Sequence, residues 1–421
     1  MKNRKIPLGL CNTIAEWLFI TTHSHWIISV FITKICHFVS FSKKVCFLLA
    51  VYKTFLTVGA QICYQGDNCR LPNCYCGGRE VPGNLLPVEI PQIIAFSFDD
   101  AVTSENYEMY EELFLNNRFN PNGCPISMTL FLSHNFTKYS LVRDLYSKGM
   151  EVAVHSVTHR TPTDFWKTAS IEELRYEIVQ QRKNIAEMTG IPIGNITGWR
   201  SPFLQPTGDR LYSILREENF QYDSTMTVAT QNGFSSKFWP NTLDYSWQLD
   251  CNIKPCPLKR YPGFWEVPVM MLEKPYSPKG CLYLDSCRPE NKEEAFQIFW
   301  VNFHSHYTGS RAPLLYTMHS SWLREKHNYE AMNYFLLTIL HYYSDVFIVN
   351  YQQLLAWIQK PTKLVDINEF EGWKCTRKPY LKFVKAHHSW TSDSSATSLK
   401  INIFERIPFL LLFVIFVLRV L

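Results

Sequence analysis

Short apolar runs alternate with amphipathic stretches along most of this chain, and that alternation restricts the fold more than any other feature. Runs at Ile93–Phe98, Ile126–Leu132, Glu151–His155, Phe264–Leu272, Leu314–His319 and Val346–Val349 have the length and apolar density of buried strands. A helix is predicted between the third and fourth runs. Ser170 with Glu173 forms a capping box, Ile171, Leu174, Ile178, Ile185 and Met188 form one face, and Gly190 supplies the stop. Further helices are predicted over Ser140–Lys148, Asp209–Glu218, Glu293–His306 and Asn328–Tyr343. Strands alternating with helices argue for an α/β barrel, whose reactive groups gather at the C-terminal ends of the strands.

Those ends carry chemistry. The first run leads into Asp99-Asp100, and the third leads into His155-Ser156-Val157-Thr158-His159. Asp-Asp after a strand commonly just caps a turn, and a His-x-x-x-His spacing outside a helix is a weak signal by itself. Together they offer one carboxylate and two imidazoles as an oxygen/nitrogen ligand set for Zn²⁺, with a second carboxylate left to act as a base. Arg200-Ser201-Pro202-Phe203 follows another short strand; taken alone this reads as a surface arginine before a proline turn, with a salt bridge that orients Asp99 and keeps it ionised as the functional alternative. The fifth run ends on His319, a candidate general acid. Trp239, opening the stretch to Tyr245, is a candidate flat face for sugar stacking, against a core role of equal weight. The sequence contains no Gly-rich phosphate loop, G-x-S-x-G elbow or H-E-x-x-H helix, which removes nucleotide, α/β-hydrolase and metalloprotease readings.

Charge and cysteines set the context. The formal charge is +5, but the first 60 residues carry seven Lys or Arg against only Glu16, leaving the rest near −1. No basic face is left for nucleic acid to read. Residues 1–60 are read as a leader: Lys43-Lys44, an apolar run from Val45 to Gly59, and Val58-Gly59-Ala60 as a cleavage site. The stretch ahead of Lys43 is longer than such leaders need, and an uncleaved anchor around Ile14 to Ile35 is the alternative. Ten cysteines follow the leader, an even number that suggests up to five disulfides in an oxidising compartment, and Cys74-Tyr75-Cys76 lacks the second pair a metal knuckle requires. Residues 61–90 are expected to form a Cys-rich lead-in, 91–375 the catalytic domain, and 376–421 a tail. In that tail Ile407 to Leu418 is apolar but short for a bilayer span, and small residues at Ser392–Ala396 precede a polar spacer. This order suits a glycosylphosphatidylinositol signal, or else a short hydrophobic tail anchor. Sequons at Asn135 and Asn195 complete the picture of a secreted or cell-surface protein tethered at the extracellular face.

The order Phe98-Asp99-Asp100, His155-Ser156-x-x-His159, Arg200-Ser201-Pro202, Trp239 and His319 resembles the polysaccharide deacetylase family (carbohydrate esterase family 4, NodB-like). Within it the chain is similar to the animal chitin deacetylase branch, through Asn120-Pro121-Asn122-Gly123-Cys124-Pro125, Trp265-Glu266-Val267-Pro268, Asn302-Phe303, Arg311-Ala312-Pro313 and Trp373-Lys374-Cys375. The resemblance spans about residues 63–375 and implies a distorted (β/α) barrel of about seven strands with one divalent metal, usually zinc. It implies Asp99 as catalytic base, Asp100, His155 and His159 as metal ligands, Arg200 as the residue orienting Asp99, and His319 as acid. It further implies that the backbone N–H of Phe203 helps hold the oxyanion. The expected reaction is hydrolysis of the acetamide of an N-acetylglucosamine unit, releasing acetate and leaving glucosamine in the polymer.

Two departures bear on that expectation. The family's D-x-x-D-W pattern survives here only as Asp223 in Tyr222-Asp223-Ser224-Thr225-Met226, so the carboxylate tethering His319 is open between Asp223 and Asp244. No separate chitin-binding module is found, so grip on a polymer falls to the catalytic groove or the membrane anchor. The alternatives are a non-catalytic chitin- or matrix-binding protein and a deacetylase of another N-acetylglucosamine glycan.

Overall fold

The computed structural model describes residues 62–229, 237–275, 277 and 279–375. The expected leader and tail, with both candidate membrane segments, lie outside the described residues. Among the described residues no helix is long and apolar enough to cross a membrane.

The central strand, β1 (Gln92–Asp99), is buried at every position, as a parallel strand covered on both faces should be. It is followed by β2 (Thr129–Leu132), β3 (Glu151–Val154), β4 (Gly198–Trp199), β5 (Tyr222–Asp223), β6 (Thr227–Val228), β7 (Asn241–Leu243), β8 (Tyr261–Glu266), β9 (Val269–Met270), β10 (Leu314–His319) and β11 (Val346–Ile348). Seven parallel strands run in the order β10-β1-β2-β3-β4-β5-β8. β7 adds to β8 antiparallel, and β11 pairs with Gln92–Ile94 of β1 on the edge opposite β10, ahead of the Ser97–Asp99 segment that pairs with β2. Phe96 and Phe98 pack outward against Tyr110, Phe114 and Tyr316, while Ser97 and Asp99 point to the other face.

That other face is the inside of a barrel. Flat-sheet neighbours lie about 4.8 Å apart, so β1 and β4 would sit about 14 Å apart across β2 and β3. Yet Arg200, directly after β4, reaches Asp99 at the end of β1 at 2.6 Å. Only a rolled sheet allows this, so the fold is the expected α/β barrel class. Its interior is polar: Glu151 of β3 accepts from Tyr222 of β5 at 2.7 Å, from Thr129 of β2 at 2.9 Å, and from the Gln352 N–H of the helix Tyr351–Gln359 at 3.0 Å. Burial raises the Glu151 carboxyl above its ordinary range.

Helices form where the periodicity places them: Tyr139–Ser147, Asp209–Glu217, Lys292–Tyr307 and Lys326–Tyr342. The stretch from Ser170 to Gly190 begins with its capping box and ends with Gly190 in the left-handed region, but a π-turn at Tyr176–Gln180 interrupts it. The buried stripe becomes Leu174, Ile178, Gln181, Ile185 and Thr189, leaving Ile171 and Met188 exposed. Phe264–Leu272 is likewise two strands, because the chain breaks at Val267-Pro268 between β8 and β9. The ten cysteines after the leader pair as Cys63–Cys76, Cys69–Cys74, Cys124–Cys375, Cys251–Cys256 and Cys281–Cys287.

Gly198 is required by the Tyr222 ring, which crosses its strand to reach Glu151. A Cβ at 198 would fall inside that ring, and the buried ring has nowhere to retreat. Gly198→Ala is therefore expected to destabilise the fold by about 1–3 kcal/mol or more, read as a lowered urea midpoint. An unchanged midpoint would show that Tyr222 is not pinned.

Candidate active site

Parallel register aligns the strand ends that matter. Asp99 is the register partner of His319, Val154 pairs with Trp199, and Trp199 pairs with Asp223. Asp99, His155, Arg200, Ser224 and His319 therefore all emerge at one rim.

Arg200 organises it. The side chain is fully buried, and its five N–H groups meet five acceptors: Nε donates to the Ser224 carbonyl (2.9 Å), Nη1 to Asp99 Oδ1 (2.6 Å) and Ser97 Oγ (3.1 Å), and Nη2 to Ser224 Oγ (2.9 Å) and Tyr351 Oη (3.3 Å). The guanidinium lies 4.0 Å over the Phe131 ring. Burial would raise the Asp99 carboxyl, but Arg200, His155 and His319 outweigh it and hold the group below the ordinary aspartate range. Asp99 is thus a carboxylate. Its second oxygen, Oδ2, accepts from the Tyr283 hydroxyl at 2.8 Å.

Asp100 turns the other way, through a left-handed backbone (φ 79°). Its Oδ1 lies 3.9 Å from His155 Nε2 and 3.5 Å from His159 Nε2. The three ligand atoms lie within 4.8 Å of one another. Ligands about 2.0–2.1 Å from a zinc ion sit about 3.4 Å apart, so this set fits a single ion with little adjustment. The tautomers suit it too. His155 Nδ1–H donates to the Arg200 carbonyl at 2.8 Å, leaving Nε2 with its lone pair, and burial lowers the imidazole to about 4. The loop between the histidines is clamped by Glu177, whose carboxylate accepts from the Val157 and Thr158 amides at 2.9 Å and the Thr158 hydroxyl at 2.7 Å. Glu177 sits in the π-turn, which explains why that helix is irregular.

His319 faces the same space. Its Nε2 is 3.8 Å from Asp100 Oδ2, and Asp285 Oδ2 lies 3.3 Å from Nδ1 while also accepting the His319 backbone N–H at 3.0 Å. Burial would lower this imidazole, but Asp285, Asp99 and Asp100 push it up to about 9, so at neutral pH it carries a proton on each nitrogen. The tether is therefore Asp285, not Asp223 or Asp244. Asp244 is occupied with the Gly263 N–H at 3.0 Å, and Asp223 is buried against Thr225 and Tyr212.

Trp239 is also corrected. It is completely buried and stacks on Trp357 at 5.8 Å, so it supports the core and offers no sugar face. Phe203 adopts φ 58° and is half-exposed, its ring packed 4.8 Å from that of His159. Asn135 and Asn195 are both exposed. Sequence reasoning missed Tyr283, Asp285 and Glu177. The one available signal was the short Cys281–Cys287 span, which encloses a tyrosine and an aspartate.

The polysaccharide deacetylase family pattern matches residues 90–222. Chitin deacetylase 8 of Bombyx mori is 34% identical over 315 residues, covering 73% of this chain and 80% of that protein. Chitin deacetylase 1 of Bombyx mori is 34% identical over 322 residues, 74% of this chain but 59% of its own length, so the chain spans about three fifths of that relative. A family 4 carbohydrate esterase from Streptomyces lividans aligns with a TM-score of 0.34 at 16% identity, over 61% of this chain and 91% of that one. The chain belongs to the polysaccharide deacetylase family.

Asp223 and Glu266 form a second buried acidic group at the ends of β5 and β8. The Tyr212 hydroxyl lies 2.9 Å from Asp223 Oδ2 and 3.0 Å from Glu266 Oε2. One phenolic proton is shared between the two buried carboxyls, an arrangement that disfavours charging both. Burial, then the Asp223 charge, pushes Glu266 well above its ordinary value. A carboxyl whose folded pKa is raised contributes stability that is full below the unfolded value, about 4.3, and is lost as pH rises through the folded value. Glu266→Gln keeps a donor and cannot ionise. Urea midpoints of this variant are expected to fall less than wild type as pH is raised into the alkaline range, whereas parallel profiles would place the proton elsewhere.

Proposed function

We propose that the protein is a metal-dependent N-deacetylase of chitin or chito-oligosaccharides, releasing acetate and leaving glucosamine units. The observation that carries this reading is the convergence at one rim of Asp99 held by Arg200, His319 held by Asp285 and the Asp100–His155–His159 ligand set. The two Bombyx mori relatives support chitin as the polymer.

A divalent ion, zinc by its donor set, would be held by Asp100, His155 and His159 and would supply Lewis acidity for water activation and carbonyl polarisation. The protein's own groups do the rest. Arg200 keeps Asp99 ionised and oriented, so Asp99 can take the proton of the attacking water. His319 holds a proton on Nε2 for the departing amine, while Asp285 fixes the ring through Nδ1. The Phe203 N–H is assigned to the developing oxyanion. In this reading the reaction is amide hydrolysis at the 2-position of N-acetylglucosamine, the chitin relatives supplying the substrate class. Five disulfides fit an oxidising compartment. With the expected leader, the exposed sequons at Asn135 and Asn195 and the expected 376–421 tail, they support a reading of the enzyme as extracellular, glycosylated and tethered by a lipid anchor or a short hydrophobic tail.

Acetate release from N-acetylglucosamine oligomers tests the reading. Activity is expected to vanish with chelator and return with zinc; a chain that releases no acetate from any oligomer despite bound zinc would overturn it. Asp99→Asn should retain metal and lose about 10²–10⁴-fold in kcat, whereas Asp100→Ala and His155→Ala should lose the metal itself, measured by elemental analysis.

A further inference from the structure

The loop closed by Cys281–Cys287 does more than staple the surface. Its first cysteine is tied to Leu272, beyond β9, by two backbone hydrogen bonds (2.8 and 3.0 Å), and Leu284 and Cys287 are fully buried beneath it. Inside this short span sit two residues that touch the acid–base pair. Asp285 holds His319 through its ring and backbone nitrogens. Tyr283 touches both partners: its hydroxyl donates to Asp99 Oδ2 at 2.8 Å, and its ring stacks on the His319 imidazole at 4.9 Å with 27° between the planes.

Each contact removes a remaining freedom. Arg200 engages Oδ1 of Asp99 alone, which leaves the carboxylate able to pivot about that contact. A second donor on Oδ2 fixes its plane. Asp285 holds one edge of His319, which leaves the ring able to swing out of plane. The stacked face of Tyr283 blocks that swing. Ser286 braces the tyrosine in turn, its hydroxyl and N–H both donating to the Tyr283 carbonyl (2.7 and 3.0 Å).

Building on the deacetylase reading, we propose that Tyr283 is a positioning residue that sets base and acid relative to one another, and that the Cys281–Cys287 loop exists to present it. Tyr283 acts through Asp99 and His319, so its loss should slow the chemical step and spare substrate binding. Tyr283→Phe keeps the ring and removes the hydrogen bond to a charged acceptor. It is expected to lower kcat by about 10- to 100-fold with KM within about twofold. Tyr283→Ala should lose more, since His319 also loses its stacking face. Cys281→Ser combined with Cys287→Ser should lower kcat in the same way while circular dichroism and metal content stay as in wild type.

The experiment uses the full chain carrying ¹³C-labelled histidine, so that geometry is read independently of turnover. The ring-current shift of the His319 imidazole signals should be present in wild type and Tyr283→Phe, and lost in Tyr283→Ala. Wild-type kcat in Tyr283→Phe, or a raised KM with kcat unchanged, would overturn the proposal, the latter making Tyr283 a substrate contact. Unchanged His319 signals in Tyr283→Ala would overturn the stacking, and full kcat in the double Cys variant would overturn the role of the loop. If wild type releases no acetate, the deacetylase reading falls, and the His319 signals alone then decide whether Tyr283 positions that ring.

Discussion

The buried pair of Arg200 and Asp99 is the contact on which the rest of the site depends. Two ions taken from water cost several kcal/mol each, and their mutual attraction compensates only when every other donor and acceptor is also satisfied. Here all five Arg200 donors, carried at the end of β4, have acceptors, drawn from β1, the end of β5 and the start of the helix Tyr351–Gln359. A single guanidinium thus ties together strands that are not neighbours in the sheet. It holds the barrel's rim in register, and the same charge keeps Asp99 ionised. Stability and reactivity share one residue.

The polar interior beneath the rim extends this logic. Glu151, Tyr222, Thr129 and Ser97 occupy positions that an ordinary barrel fills with branched aliphatics. Each is bonded to a partner from another strand or helix. Such a network is unforgiving, because one lost partner strands another buried group. It also specifies geometry more sharply than apolar packing can. Outside the barrel the order reverses: Phe96, Phe98, Phe114, Tyr316 and Phe299 supply non-directional burial, and alternation along β1 separates the two regimes.

Much of this was legible in the sequence because the strands are short, apolar and end in polar residues. Asp99, Asp100, His155, His159, Arg200 and His319 are all recognisable by their place after such runs, and the structure brings all six to one rim. The readings that failed share a cause. Trp239 has the composition of a sugar platform, but local sequence does not tell that Trp357, far along the chain, covers its face. Asp223 and Asp244 lie near the motif that usually supplies the tether, whereas Asp285 lies close to His319 only through the disulfide loop. Ile171 and Met188 follow an ideal helical period that the π-turn at Glu177 displaces, and that turn is set by a loop the helix meets only after folding.

The sequence by itself determined the alternation of strands and helices, the chemistry available at the strand ends and the number of cysteines to be paired. These are local properties: periodicity, residue type and count. Tertiary structure decided which carboxylate holds which histidine, which aromatic is core, and that Tyr283 stands between base and acid. Those are matters of angstroms between residues up to about two hundred positions apart, such as Tyr283 and Asp99. The rolling of the sheet and the closure of one disulfide loop create these distances, and neither is written in any short stretch of chain.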